Sequence, residues 1–169
     1  VLNLFAYTGG ATLAAAAAGA QVTHVDASKG MVTWAKENAV SSGLGDAPIR
    51  WLVDDCVKFV EREIRRGNTY DAIIMDPPSY GRGPKGEIWK IEDMIHPLIK
   101  LCTKILSKDA LFFLVNSYTT GLAPAVLTYM ISTELKPWNG HVDSQEIGLP
   151  VTDSGLVLPC GASGRWERD

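Results

Sequence analysis

The stretch Tyr70-Asp-Ala-Ile-Ile-Met75-Asp76-Pro77-Pro78-Ser79-Tyr80 decides the fold: a short apolar run stops in an acid, two prolines and an aromatic ring. Proline continues neither a sheet ladder nor a helix, and it drives the preceding residue out of the α region. The chain therefore leaves a buried strand and presents one carboxylate, rigid backbone carbonyls and a ring at the strand's carboxyl end. In an open α/β sheet that edge is where ligands bind.

Three strand patterns lie upstream. Val1-Leu-Asn-Leu-Phe5 passes through Ala6-Tyr-Thr-Gly-Gly10 into an alanine-rich helix over Leu13 to Ala20, the opening of a βαβ unit. The glycines permit a tight turn, and the helix N-terminus offers unpaired N–H groups. Val22-Thr-His-Val-Asp26 follows and ends in an acid, which suits a carboxylate roughly 20 residues past a glycine turn that accepts both hydroxyls of a ribose. Ser28 caps a helix running to about Ser41, and Gly43 stops it. Ile49 to Val53 is a third strand, ending at Asp54 and Asp55. Val57, Val60 and Ile64 then repeat at helical spacing, with Glu61, Arg62, Arg65 and Arg66 on an exposed face.

Downstream, Gly81-Arg-Gly-Pro-Lys-Gly86 reads as a flexible loop whose Arg82 and Lys85 are candidate phosphate contacts. Ile88, Ile91, Ile95, Leu98, Cys102, Ile105 and Leu106 mark one long amphipathic helix, kinked at Pro97. Ala110 to Asn116 is a fifth, fully buried strand, and Ala123 to Leu135 a helix. His141 to Ile147 and Leu156 to Cys160 are strands joined by Pro150-Val-Thr-Asp-Ser-Gly155, with no helix between them. The pattern predicts one α/β domain over residues 1–169, a doubly wound and mostly parallel sheet closed by a C-terminal antiparallel hairpin.

Composition narrows the function. No apolar run approaches the ~20 residues needed to cross a membrane. Cys56, Cys102 and Cys160 are odd in number and lack metal-ligand spacing, which predicts reduced thiols in a cytoplasm, no disulfide and no metal site. The net charge is −3, the wrong sign for a chain that grips nucleic acid by itself. Val1 already lies inside a strand pattern, which predicts a fragment lacking an N-terminal segment. His24, His96 and His141 are scattered without partner spacing.

Three successive strand ends carry acids, at Asp26, at Asp54 and Asp55, and at Asp76. Each alone could be a helix cap or a solvated loop acid. Together, after a glycine turn, they describe a nucleoside pocket, with Asp26 on a ribose and Asp55 on an adenine amino group. A dinucleotide site expects glycines where the early positions of G-x-G-x-x-G hold Phe5 and Tyr7, and a Gly-Lys-Ser/Thr phosphate loop is absent. Bulky residues in that turn suit a ligand without a pyrophosphate. S-adenosylmethionine meets the requirement, with Lys29 and the helix N-terminus facing its carboxylate and Asn3 its ammonium.

On these residues the chain resembles a class I S-adenosylmethionine-dependent methyltransferase. Val1-Leu-Asn-Leu-Phe-Ala-Tyr-Thr-Gly-Gly10 is similar to motif I of the large-subunit ribosomal-RNA methyltransferases, in the branch where glycines give way to Phe and Tyr. Asp26 matches the ribose acid of motif II, Asp55-Cys56 the adenine-contacting pair of motif III, and Asp76-Pro-Pro-Ser-Tyr80 motif IV. The resemblance implies a seven-stranded sheet whose last strand is antiparallel. It implies cofactor contacts from Phe5, Ala6, Tyr7, Thr8, Gly9, Asp26, Ala27, Asp55, Cys56 and Asp76, and S-adenosylhomocysteine as product.

The substrate so implied is RNA, ribosomal, held mainly by an upstream segment. Asp76 and the Pro77 carbonyl would accept the N–H bonds of an amino nitrogen, beside Pro78, and Tyr80 would stack on a flipped base. Cytosine-C5 enzymes of this group carry a nucleophilic cysteine beside motif IV or in the strand-5 motif. Here Ser79 and Val115-Asn-Ser-Tyr-Thr119 stand in those places, so nitrogen methylation gains over carbon. A methyltransferase for a protein side-chain amide or a small molecule, and a non-catalytic cofactor-binding module, are the alternatives; NAD-dependent chemistry comes last.

Overall fold

The structure is a computed structural model, and it describes residues 1–83 and 86–169. Strands β1 (Leu2–Leu4), β2 (Val22–Asp26), β3 (Ile49–Val53) and β4 (Ala72–Met75) alternate with helices α1 (Gly10–Ala17), α2 (Lys29–Ser41) and α3 (Cys56–Arg66). A short antiparallel pair follows, β5 (Tyr80–Arg82) with β6 (Ile88–Lys90), and then α4 (Ile91–Thr103). Strand β7 (Phe112–Ser117), helix α5 (Pro124–Glu134) and strands β8 (His141–Pro150) and β9 (Val157–Glu167) complete the chain.

The main sheet has seven strands in the order β3-β2-β1-β4-β7-β9-β8. Pairing is parallel from β3 through β7, while β9 runs antiparallel to both β7 and β8. Central strands covered on both faces need unbroken apolar runs, and Leu2, Leu4, Ile73 and Met75 are wholly buried. Val32, Ala35 and Ala39 bury one stripe of α2, and Cys56, Phe59, Val60 and Glu63 one stripe of α3. The strand order reverses between β1 and β4, and this switch point opens a crevice at their carboxyl ends.

Glu63 is a carboxylate inside this core. Tyr70 Oη (2.7 Å), Asn68 Nδ2 (2.9 Å) and Arg66 Nη1 (2.8 Å) all donate to it. Burial alone would push its pKa up, but these donors and Arg50 outrun burial and hold it below the usual carboxylate range. The network ties the end of α3 to the approach to β4, and so fixes the strand that carries Asp76.

Four expectations change. The loop after Tyr80 includes a strand, since Tyr80, Gly81 and Arg82 pair with Lys90, Trp89 and Ile88; Lys85 lies outside the described residues. The long helix starts at Ile91 and not at Ile88, because Ile88 is exposed and Trp89 buried, the alternation of a strand. The fifth strand is half-buried on alternate residues, one face opening onto polar side chains of β8 and β9. Finally, β9 continues to Glu167 through Gly161-Ala-Ser-Gly164, where glycine makes room: a Cβ at Gly164 would stand 2.8 Å from Leu127 and Ile131 of α5.

Candidate active site

A cavity of about 560 Å³ opens at the carboxyl ends of β1, β2 and β4, within the usual range for a small-molecule site. Its floor is the turn after β1. Phe5 and Tyr7 there adopt left-handed backbone conformations, with φ of 54° and 50°. For residues with a Cβ this costs ~1–2 kcal/mol each, and these are the positions that glycine fills in a G-x-G turn. Two side chains hold the strained backbone in place. Asp26 Oδ2 accepts from the Tyr7 N–H at 2.9 Å, and Cys56 Sγ accepts from the Phe5 N–H at 3.3 Å. The strain sits at the ligand site and is offset by bonds made from the next two strand ends.

Asp26 also accepts from the Ser28 N–H at 2.8 Å through its other oxygen. One carboxylate thus joins the β1 turn to the start of α2, and each oxygen keeps lone pairs for a further donor. Ser28 caps α2 and lines the same cavity. Asp55 caps α3, accepting from the Lys58 N–H at 2.9 Å, and lines the cavity as well. The cap and the pocket wall are one residue. Cys56 is fully enclosed and its thiol is pushed well above its ordinary pKa by burial, so it is a packing and hydrogen-bonding group, not a thiolate.

Asp76 closes the cavity at the end of β4. Its carboxyl faces the opening but is flanked by protein, and this desolvation raises its pKa. The segment after it is pinned at three points. Trp89 Nε1 donates to the Pro78 carbonyl at 2.6 Å, the Ile91 N–H to the Ser79 carbonyl at 3.1 Å, and Ser79 Oγ bonds Thr119 Oγ1 at 2.7 Å. The Trp89 ring packs on Phe5 with centroids 4.8 Å apart, so the β5–β6 pair clasps both the β1 turn and the prolines.

The structure brings together Phe5, Tyr7, Asp26, Ala27, Asp55, Cys56, Asp76 and Pro78 around one cavity. Others stand behind it. Ala6 and Gly9 are buried in the turn, where Gly9 (φ 90°) lets α1 approach Ala35 of α2; Thr8 gives its carbonyl to Asn38; Pro77 is buried. Lys29 is exposed at the start of α2 and does not line the cavity, nor does Tyr80, which is half-exposed on β5. Asn3 is placed elsewhere than expected: it is buried and donates to Thr12 Oγ1 at 2.9 Å, and Thr12 in turn bonds His24 Nδ1 at 2.9 Å. This chain sits beneath the turn, where burial lowers the His24 pKa to about 4 and keeps the ring neutral.

Sequence reasoning missed Trp89, Tyr118 and the cavity-facing role of Arg82. Trp89 was signalled by the strand alternation of Ile88-Trp89-Lys90. Tyr118 was signalled by topology, since β7 lies beside β4 and its carboxyl end must stand beside Asp76. Three carboxylates and one guanidinium around the cavity favour a ligand with net positive character over a pyrophosphate.

The sequence matches the S-adenosylmethionine-dependent methyltransferase family over residues 1–132. The chain belongs to that family. Its members depend on S-adenosylmethionine, and the residues present fit that ligand: Asp26 keeps acceptors free, and Asp55 and Asp76 bring two further carboxylates to the wall of one cavity, which suits a cationic sulfonium compound. A crystal structure of the S-adenosylmethionine-dependent methyltransferase from Agrobacterium tumefaciens is 43% identical and superposes with a TM-score of 0.94, over 99% of this chain and 55% of that one. The ribosomal RNA large subunit methyltransferase K/L of Shewanella frigidimarina is 37% identical over 107 residues, 60% of this chain and 15% of the relative. The ribosomal RNA large subunit methyltransferase K of Neisseria meningitidis is 32% identical over 118 residues, 69% of this chain and 33% of the relative. The chain thus spans a third or less of the length of these curated relatives. No helix among the described residues is long and apolar enough to cross a membrane, and no group of His, Cys, Asp and Glu among them could hold a metal ion.

Proposed function

We propose that the protein transfers the methyl group of S-adenosylmethionine to a nucleobase nitrogen of large-subunit ribosomal RNA. The observation that carries this reading is the pairing of Asp76 with a rigid proline segment on the wall of the cavity that Asp26 and Asp55 share. The names of the two curated relatives support ribosomal RNA as the substrate.

Bound S-adenosylmethionine supplies an electrophilic methyl group on a sulfonium, so the protein must align a nucleophile and exclude water. Asp26 holds the turn and a ribose, and Asp55 reads the adenine edge. Asp76 and the Pro77 carbonyl accept the N–H bonds of the acceptor nitrogen and direct its lone pair at the methyl carbon. Trp89 occupies the Pro78 carbonyl, which keeps the segment rigid and leaves Asp76 and Pro77 as acceptors. The nitrogen's surplus proton leaves through Asp76 to solvent. Asp76 acts as an orienting acceptor, and its raised pKa suits a group that briefly takes a proton.

Nitrogen is favoured over cytosine C5 by the position of the thiols. C5 chemistry needs a thiolate at the acceptor end, where Asp76, Pro78 and Tyr118 stand. Cys56 is buried and accepts from the Phe5 N–H, with its thiol pushed well up by burial, Cys102 is buried on α4, and Cys160 is on β9. The test is to map base modifications in large-subunit ribosomal RNA from a strain lacking the gene. One missing methyl group on a base nitrogen is expected; an unchanged modification map contradicts the reading.

A further inference from the structure

The aromatic partner expected of Asp76 is Tyr80 of the Asp-Pro-Pro-Ser-Tyr segment, but Tyr80 lies on β5 opposite Lys90 and outside the cavity lining. Tyr118 lies on it. This residue follows β7, is 55% exposed, and lines two cavities at once. One is the cavity of Asp26 and Asp76. The other, about 520 Å³, lies between the 117–124 segment and β9 and is walled by Ser117, Thr119 and Thr120 with Glu146 and Cys160. Tyr118 is therefore the ridge between the enclosed site and an outer, hydroxyl-lined hollow.

Its position is fixed from both sides. Ser79 Oγ bonds Thr119 Oγ1 at 2.7 Å, so the residue after Tyr118 is tied to the residue after Pro78. The Thr119 N–H donates to Ser117 Oγ at 3.2 Å, and Ser117 is buried. Beneath, Gly161 of β9 packs without a Cβ: one built there would stand 2.4 Å from the Ser117 carbonyl oxygen and 3.2 Å from Tyr118 Cα. Burial, and then the nearby Asp76 and Tyr7, raise the Tyr118 phenol pKa, so the ring is neutral. A large neutral ring, half open to solvent and held beside the acceptor carboxylate, has the chemistry of a stacking surface for a planar base.

We propose that the acceptor base enters from the outer hollow across Tyr118 and stacks on the Tyr118 ring, which, and not Tyr80, presents its nitrogen to Asp76. The inference rests on the reading that the substrate is a nucleobase of ribosomal RNA. The outer hollow then receives the ribose of the flipped or adjoining nucleotide, since hydroxyls and one acid suit sugar hydroxyls better than phosphates.

The experiment measures methyl transfer from labelled S-adenosylmethionine, catalysed by the intact protein, to large-subunit ribosomal RNA from a strain lacking the gene. Calorimetric titration with S-adenosylhomocysteine and thermal unfolding accompany it. Tyr118→Ala and Tyr118→Leu are expected to lower kcat/KM on the order of tenfold or more, since stacking of one base on a ring is of that size. Tyr118→Phe should stay within about threefold of wild type, because the face is kept and only the hydroxyl is lost. Tyr80→Ala should show the smaller loss of the two alanine variants. The leucine variant keeps bulk at a half-exposed position, so its melting temperature should match wild type, and S-adenosylhomocysteine affinity should be retained throughout. Equal transfer by Tyr118→Ala and wild type overturns the proposal, as does a larger loss in Tyr80→Ala. A parallel loss of S-adenosylhomocysteine affinity overturns it too, by making Tyr118 a cofactor wall. If wild type leaves the RNA unlabelled while still binding S-adenosylhomocysteine, the RNA reading fails, and this inference falls with it.

Discussion

Replacing Asp26 by alanine tests how the site is built, because this carboxylate does two things. It accepts the Tyr7 and Ser28 N–H groups at 2.9 and 2.8 Å, and in the proposed site it keeps lone pairs for a ribose. Hydrogen bonds to a charged acceptor contribute about 1.5–3 kcal/mol each. Both backbone donors lie near solvent, so water replaces the lost acceptor and the low end applies, giving about 3 kcal/mol for the pair. The loss is concentrated in a turn whose Tyr7 has φ 50°, a conformation with no intrinsic preference to persist without that bond. The expected cost to folding is therefore a fall in Tm of several degrees. Loss of two ribose acceptors, at a similar ~1.5 kcal/mol each, weakens S-adenosylhomocysteine binding on the order of 100-fold. Asp26→Asn keeps one acceptor oxygen but turns an amide N–H₂ towards a backbone donor, so it should fall between alanine and wild type in both measurements. Calorimetric titration well below the Tm, with unfolding followed by circular dichroism, separates the two effects. Affinity in Asp26→Ala within threefold of wild type, beside a lowered Tm, refutes the ribose role and leaves Asp26 a structural brace.

Two further predictions concern protons and thiols. Asp76 has its folded-state pKa raised by burial, so its neutral form is the favoured one; stability is full below the unfolded carboxyl pKa and declines as pH rises through the folded value. Asp76→Asn should therefore raise Tm at pH 7, lose that advantage at pH 3, and reduce methyl transfer at every pH, while wild-type transfer falls on acidification through the raised pKa; a variant no more stable than wild type at pH 7 contradicts the desolvation argument. For the cysteines, Cys56→Ser, Cys102→Ser and Cys160→Ser should each retain transfer, the first because serine still offers Phe5 an acceptor; a variant that abolishes transfer, with a trapped protein–RNA adduct in wild type, would restore carbon chemistry.

Much of this architecture was legible because the physical signals are local. Strand ends in acids, apolar runs such as Ala72–Met75, the cap residues Ser28 and Asp55, and the rigid prolines after Asp76 announce themselves in sequence. What stayed hidden depends on contacts between distant segments. The positive φ of Phe5 and Tyr7 is invisible because the residues are not glycine; Asp26 and Cys56, which hold it, lie 19 and 51 residues away. Asn3 has the chemistry to meet an ammonium, but it is buried beneath the turn, where its Nδ2 donates to Thr12, and it does not line the cavity. The strand expected over Leu156 to Cys160 runs on through Gly161 and Gly164, where close packing against Ser117 and α5 leaves no room for side chains at the two glycines. Tyr80 and Tyr118 are equally aromatic in sequence, and only the pairing of β5 with β6 carries one of them out of the cavity.

The central claim is that the crevice between β1, β2 and β4 is a nucleoside site for S-adenosylmethionine. Its most direct test is a calorimetric titration of the wild-type protein with S-adenosylhomocysteine and, separately, with NAD. The structure predicts one-to-one binding of S-adenosylhomocysteine and no heat with NAD. Binding of NAD, or silence with S-adenosylhomocysteine from a folded protein, would contradict it.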